Sequence, residues 1–257
     1  MTSSEICILI QTAEREAAEL IREAHGVIAE CKTGSRDVVT EYDRRVQLLL
    51  EARIREAIPD AKFFCEELNE RDSLDAEHVF IIDPIDGTMN FVHSRSRSCI
   101  SVAYRSNGSL SAGVIYDPYL DEMFYAVAGG GAYLNGRPIR MENKPLSEGL
   151  ALIGTAPYIP ELTERTFKMA EKLFCAALDI RREGAAALDL CSIAAGRAVI
   201  YAELSLCLWD YAAGKLIVEE AGGVCLTEDG NELPFNGHRS TVLAGSKKAV
   251  EEYLAIR

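Results

Sequence analysis

Val79-Phe80-Ile81-Ile82-Asp83-Pro84-Ile85-Asp86-Gly87-Thr88 is the stretch on which the fold turns. Four apolar residues rich in β-formers read as a buried strand. The strand runs straight into two carboxylates, two backbone-shaping residues and a hydroxyl. Carboxylates at the end of a buried strand are costly unless they are paired or hold a cation. Pro84 fixes φ and Gly87 permits unusual φ, so the backbone is expected to hold one shape. Asp83 and Asp86, three apart across a turn, can aim at one point while the carbonyl between them turns inward. Hard oxygen ligands of this kind suit Mg²⁺, which takes a few carboxylates and completes its shell with water and substrate phosphate. The bland alternative is an Asp-rich turn that stops a strand, since Asp, Pro and Gly are ordinary turn residues.

Around this stretch lies a chain of 257 residues, 48% hydrophobic and 26% charged, enough for one large domain or two tightly joined halves. Its 40 acidic and 27 basic residues give a formal net charge of -13. That argues against binding nucleic acid or an anionic membrane, which need a basic surface. An anionic substrate stays open, provided metal ions bridge it to an acidic site. The eight cysteines are scattered without CxxC spacing, so neither a zinc site nor a thioredoxin-like motif is indicated. The start lacks a basic region, and no apolar run reaches the roughly 18 residues of a spanning helix. A reduced, soluble, cytoplasmic protein is expected.

Upstream, Ile6, Leu9, Ile10, Ala13, Ala17, Leu20, Ile21, Ala24 and Ile28 recur at steps of three and four, an amphipathic helix. Thr2 with Glu5 has capping-box spacing. Lys32-Thr33-Gly34-Ser35-Arg36-Asp37 reads as a loop. Thr40 and Asp43 repeat the capping spacing before a second helix through Val46, Leu49, Leu50, Ile54 and Ile58, closed by Pro59. Asp43 thus lies in a first helical turn, where complementing the helix dipole is reason enough for an acid. Lys62-Phe63-Phe64-Cys65 reads as a short strand ending in Glu66-Glu67.

Downstream, strands over 98–104 and 110–116 flank Asn107-Gly108, a hairpin signal, and a third strand covers 122–127 before the glycine-rich 129–136. Composition shifts around Glu142-Asn143-Lys144-Pro145, and short β runs then alternate with helices, as in α/β proteins. Strands are expected over 151–153, 198–203 and 242–244, and helices over 161–175, 184–195, 210–221 and from Ser246. The halves, 1–145 and 146–257, meet without a flexible linker. Asp210, after Trp209, falls at a helix start, where a carboxylate is natural.

Taken together, these segments resemble the inositol monophosphatase family of Mg²⁺-dependent, lithium-sensitive sugar phosphatases. Asp37-Val38-Val39-Thr40-Glu41-Tyr42-Asp43 is similar to its DxVTxxD segment, and Glu66-Glu67 to its paired glutamates. Asp83-Pro84-Ile85-Asp86-Gly87-Thr88-Met89-Asn90-Phe91 matches its DPIDGTxNF signature, and Trp209-Asp210-Tyr211-Ala212-Ala213-Gly214 with Glu220-Ala221-Gly222-Gly223 resembles its WDxAAG…EAGG signature. The resemblance implies an α/β (α+β) layered αβαβα sugar-phosphatase fold. An antiparallel-sheet half would carry most metal ligands, and an α/β half would carry Asp210 and substrate contacts.

The same resemblance implies roles for single residues. Glu66, Asp83 and the Ile85 carbonyl would hold one Mg²⁺; Asp83, Asp86 and Asp210 a second; a third, weaker ion would lie near Glu66. Glu66 and the Asp43–Thr88 pair would orient and deprotonate the attacking water. The Gly87 and Thr88 amides would hold the phosphate beside Asp86. Gly184, Ala185, Ala186, Glu203 and Asp210 would meet the substrate hydroxyls, and Lys32 would steady the metal or phosphate region. Ala185 departs from the family's usual hydroxyl residue, and Cys65 and Leu68 depart on either side of the glutamates. Ser94-Arg95-Ser96-Arg97-Ser98 replaces an apolar segment. Arg95 and Arg97 could recognise an extra anionic group or lie at a subunit contact, with a solvated loop as the alternative.

The expected reaction is Mg²⁺-dependent hydrolysis of a phosphomonoester of a small polyol or sugar, myo-inositol monophosphate first, by a homodimer. Fructose 1,6-bisphosphate, histidinol phosphate or a 3′-phosphonucleotide are the alternative substrates. A non-catalytic regulatory or binding protein on the same fold is the alternative of another class.

Overall fold

The computed structural model describes residues 1–34, 37–67 and 72–257, and the backbone alone at 32–34 and 37. Helix α1, Ser3–Arg22, starts from a complete capping box: Thr2 Oγ1 accepts from the Glu5 amide and Glu5 accepts from the Thr2 amide. The apolar spacing runs on to Ile28, but the chain turns away through Gly26 at φ +61° and leaves Ile28 exposed. Glu14, on the inner face of α1, is fully buried with neither oxygen hydrogen-bonded, and burial holds its carboxyl well above the usual range.

Where a loop was expected, β1 (Ala29–Gly34) and β2 (Asp37–Thr40) pair antiparallel. Their mostly polar residues give no period-2 signal, so the ribbon is invisible to hydrophobic patterning. Helix α2, Glu41–Ala57, begins at Thr40 with the predicted cap. Next come β3 (Lys62–Cys65), β4 (His78–Asp86) and the single turn α3 (Thr88–Val92). Strands β5 (Cys99–Ser106) and β6 (Ser109–Asp117) meet at Asn107-Gly108, both at positive φ as a tight hairpin requires. Strand β7 (Glu122–Val127) leads to β8 (Ala132–Leu134) and β9 (Arg137–Ile139), joined by Asn135-Gly136 in the same left-handed pair. These seven strands form one sheet in the order β3-β4-β5-β6-β7-β8-β9, with β3 and β4 parallel and the rest antiparallel.

The remainder builds a second sheet. Its elements are β10 (Leu150–Ile153), α4 (Thr163–Ala176), β11 (Asp179–Arg181), α5 (Ala186–Ala194), β12 (Ile200–Leu206), α6 (Leu208–Glu220), β13 (Val224–Leu226), β14 (Ser240–Gly245) and α7 (Lys247–Ile256). The five strands run in the order β11-β10-β12-β14-β13, with β10 parallel to both neighbours and β14 antiparallel to both of its own.

Three apolar cores stack these pieces. Ile6, Ile10 and Leu50 of α1 and α2 pack on Phe80, Ile82 and Val102 of the first sheet. The opposite face of that sheet, with Val79, Ile81 and Ile115, packs on Leu190 and Ile217 of α5 and α6, which also cover Tyr201 and Ala244 of the second sheet. Met169 and Leu173 of α4 and Val250 of α7 close the far side over Ala151 and Ile200. The result is the expected αβαβα layering. Strand β4 alternates between two cores, which is why Val79-Phe80-Ile81-Ile82 is apolar without a break. Each of those side chains contributes about 1.5–3 kcal/mol by leaving water. Gly113 of β6 lies under α6, where a Cβ would stand 2.9 Å from the Ala213 carbonyl oxygen. No helix among the described residues is long and apolar enough to cross a membrane.

Candidate active site

Strands β3 and β4 end side by side. The Glu66 amide donates to the Ile82 carbonyl at 3.1 Å, carrying the parallel ladder one residue past Cys65 and setting Glu66 beside Asp83. Between β4 and β5 the pairs Asp83–Ser101 and Asp86–Cys99 set three steps against two, so one extra residue is bulged. Pro84 lies in that bulge, where its missing N–H breaks no ladder bond. In a regular strand Asp83 and Asp86 would face opposite sides; the bulge brings Asp86 within electrostatic reach of Asp83.

Each acid is oriented by the main chain. Asp83 Oδ1 accepts from the Ile85 amide at 3.1 Å. Asp86 Oδ2 accepts from the Ala187 amide at 2.7 Å, at the start of α5. Asp210, in the first turn of α6, accepts from the Cys207 amide at 2.6 Å. Burial, then the charges of Glu66, Asp86 and Asp210, hold the Asp83 carboxyl well above the usual range, and Asp83 also shares a hydrogen bond with Glu66. Burial raises Asp86 to about 6, against the pull of the Ala187 amide. Asp210 is raised by burial and then by Glu66 and Asp86. Three separate elements thus deliver four acids to one place.

Gly87 makes the next turn at φ 86°, a left-handed conformation open to glycine. A Cβ there would stand 3.0 Å from the Arg97 carbonyl oxygen and 3.1 Å from Ala185 Cβ. The Thr88 hydroxyl donates toward the Ile85 carbonyl at 3.1 Å and toward Asp43 Oδ1 at 3.4 Å. Asp43 is fully buried, with Oδ2 held by the Thr40 amide at 2.8 Å and the Thr40 hydroxyl at 2.5 Å. The cap that starts α2 therefore aims the other oxygen of Asp43 at Thr88.

Across the cleft, Gly184 turns at φ +89° into the buried Ala185 and Ala186. Glu203, on β12, accepts from the Tyr201 hydroxyl at 2.6 Å, and burial raises it to about 7 despite that bond. Glu66, Asp86, Gly87, Thr88, Gly184, Ala185, Ala186, Glu203 and Asp210 all line one cleft. Asp83 lies beneath its surface and Asp43 behind it. The two sides are clasped by Asn90, whose Nδ2 donates to the Arg97 carbonyl at 2.8 Å and the Glu183 carbonyl at 2.9 Å.

The remaining predicted positions lie elsewhere. Arg97 turns inward, with Nε 3.3 Å from Glu183 and Nη2 3.6 Å from Asp189, and does not line the cleft. Arg95 is exposed on the adjoining turn. The Lys32 side chain and Leu68 lie outside the described residues. Tyr158, Arg182 and Asp189 line the cleft and were not singled out from the sequence. Arg182 directly precedes Glu183-Gly184, and that adjacency was the one available signal.

The donor set fits a hard divalent cation. Its groups are oxygens of one sign, buried where isolated charge is costly, and none of the main contributors to their shifts is cationic. Each main-chain bond engages one carboxylate oxygen and leaves the second to turn toward an ion. As they stand, no three such side chains among the described residues close on a single point. The acids are gathered rather than locked.

A chain with this layering, and with acids gathered at a bulged strand end beneath a cleft, has the architecture of a metal-dependent phosphatase. A model of the inositol monophosphatase family matches residues 2–257, and the chain belongs to that family. The Nus factor SuhB of Pasteurella multocida is 36% identical over 247 residues, 94% of this chain and 91% of that protein. The extragenic suppressor protein SuhB of Bartonella henselae has a solved structure with TM-score 0.90 and 31% identity, covering 98% of this chain and 97% of that one. The Thermotoga maritima IMPase gives TM-score 0.85 at 33% identity, over 95% and 93% of the two chains. An IMPase/NADP phosphatase solved with Mg²⁺ and phosphate gives 0.84 at 25%, over 98% and 93%.

Proposed function

We propose that this protein is a Mg²⁺-dependent phosphomonoesterase whose first substrate is an inositol monophosphate. The observation that carries the reading is the convergence of Glu66, Asp83, Asp86 and Asp210 below a cleft whose far wall presents Gly184, Ala185, Ala186 and Glu203. Glu66, Asp83 and the Ile85 carbonyl would hold one ion and Asp83, Asp86 and Asp210 another, with a third near Glu66. Bound Mg²⁺ would neutralise phosphate charge and make the attacking water more acidic. The Gly87 and Thr88 amides, in a first helical turn without intrahelical acceptors, suit the phosphate oxygens. Thr88 donates toward Asp43, so its oxygen can accept a proton from water while Glu66 orients that water. Glu203 and Asp210 are the acceptors offered to hydroxyls of the leaving alcohol.

The test is phosphate release from inositol 1-phosphate, fructose 1,6-bisphosphate, histidinol phosphate and a 3′-phosphonucleotide, with and without Mg²⁺ and with Li⁺ added. Release should require Mg²⁺, fall with Li⁺ and be fastest from inositol 1-phosphate. No Mg²⁺-dependent release from any ester would overturn the reading. A second reading, a regulatory protein on the same fold, draws support from relatives named Nus factor SuhB, and silence on every ester would leave it standing. The two tightly joined halves, 1–145 and 146–257, and a homodimer belong to the same proposal; light scattering in solution decides the latter.

A further inference from the structure

Among the described residues Arg182 is the one cation whose side chain lines the cleft. Neighbouring arginines are engaged. Arg97 is paired with Glu183 and Asp189. Arg239 donates to the Tyr158 hydroxyl at 3.0 Å and lies 4.9 Å from the centre of that ring. The Arg182 guanidinium, by contrast, makes no hydrogen bond or ion pair among the described residues, and the side chain is exposed. Its position is nonetheless defined. A Cβ on Gly184 would stand 2.6 Å from Arg182 Nη1, and a Cβ on Gly87 would stand 3.2 Å from the Gly184 carbonyl oxygen. Only Gly184 therefore separates the turn beside Asp86 from the guanidinium.

The charge pattern gives this placement a meaning. The acid floor, once neutralised by cations, accepts one phosphate and offers nothing to a second anion. An exposed planar guanidinium on the opposite wall presents paired donors suited to a phosphate or carboxylate. We propose that Arg182 reads a second anionic group on the alcohol half of the ester, so that the cleft favours doubly anionic polyol phosphates over simple monophosphates. Glu203, beside it, meets the hydroxyls between the two anions. This rests on the phosphatase reading above and moves the role considered for Arg95 and Arg97 to a residue that faces the cleft. The competing account is that Arg182 only offsets the charge of Glu203, which would affect every ester alike.

Matched pairs separate the two. Fructose 1,6-bisphosphate is compared with fructose 1-phosphate, and inositol 1,4-bisphosphate with inositol 1-phosphate, for the wild type, Arg182→Ala and Arg182→Lys. The wild type should show the lower KM for each bisphosphate. Losing charge-assisted bonds in Arg182→Ala should cut kcat/KM for the bisphosphates about tenfold, through KM, and change the monophosphates less than about twofold. Arg182→Lys keeps the charge without the fork and should fall between. An unmoved ratio, or an equal fall for all esters, overturns the inference while leaving the phosphatase reading intact. Release from monophosphates alone does the same. Silence of the wild type on all four esters overturns both.

Discussion

On the floor of the cleft Asp83, Asp86 and Asp210 each hang from a main-chain N–H; on the wall Glu203 leans on a tyrosine hydroxyl, and Arg182, without a hydrogen bond among the described residues, on packing and the charge of Glu203. Two of the floor bonds are local, from two residues ahead of Asp83 and three behind Asp210. Asp43, bonded back to Thr40, follows the same rule. Local bonds orient a side chain as soon as its turn forms, so Asp83 and Asp210 are each aimed from within their own turn. Glu203 on the wall is also held from two positions away and Asp86 on the floor across 101, so the contrast lies in the partner: main-chain N–H groups on the floor, a side-chain hydroxyl on the wall. On the reading proposed above, the wall is where a change of residue would alter which alcohol fits while leaving the reaction intact.

The strongest way to break this comparison is to attack the floor. Asp86→Asn and Asp210→Asn should each lower phosphate release about a thousandfold or more, since each removes charge from a proposed cation site. The Mg²⁺-free protein should keep its Tm or gain a little near pH 8, because a buried acid held above its ordinary range is a burden when ionised. Near-normal turnover in either variant would remove that residue from the metal set. Next, Asp43→Asn or Thr88→Val should cost about a hundredfold in kcat with KM little changed, the scale of a positioned proton acceptor. A change confined to KM would make the pair structural.

A pH series sharpens the comparison by titrating both sides. Folded Asp86, raised to about 6, and Glu203, raised to about 7, lie above their unfolded values. The folded state therefore binds more protons between the two values. Stability is fully present below the unfolded pKa values and lost as pH rises through the folded ones. With a chelator present, Tm should fall from about pH 5 to about pH 8. Mg²⁺ should flatten the floor's share of that fall, and Glu203→Gln should remove the wall's share with or without metal. A Tm that rises over this range in chelator would contradict both assignments. Last, Arg97→Ala should lower Tm by several degrees, leaving the buried Asp189 without its cation. Arg95→Ala, on an exposed turn, should alter neither Tm nor substrate ratios. A shift of ratios in Arg95→Ala would return the second-anion role to that turn.

The same contrast explains what the sequence could and could not disclose. Capping pairs at Thr2 and Thr40, the apolar run of β4 and the hairpin at Asn107-Gly108 are short-range signals, and the structure carries them all. Asn135-Gly136 is an identical turn signal, masked by the glycines before it. The β1–β2 ribbon has no apolar alternation to betray it. Arg95 and Arg97 looked equivalent two positions apart, yet Ser94 and Ser96 both sit at positive φ and send the chain round, so one arginine faces water and the other the interior. Arg182 carries no local mark beyond its adjacency to Glu183-Gly184. Its place in the cleft lining with Asp86 exists because α5 docks the Ala187 amide on that carboxylate across 101 positions of chain.

Strand β3 stands at the border of the seven-stranded sheet, four residues long, with β4 on one side and on the other the two bonds between Phe63 and Asp72. Asp83 and Asp86 pair with Ser101 and Cys99 of the central strand β5, whereas Glu66 follows the border strand. Its place depends on a border strand, and border strands open at lower free energy than central ones. In kinetic terms Glu66 is the hinge pin of the cluster. Amide exchange at 63–66 should be faster than at 79–82, and the rate at which an ion leaves should follow that opening rather than the stability of the whole protein.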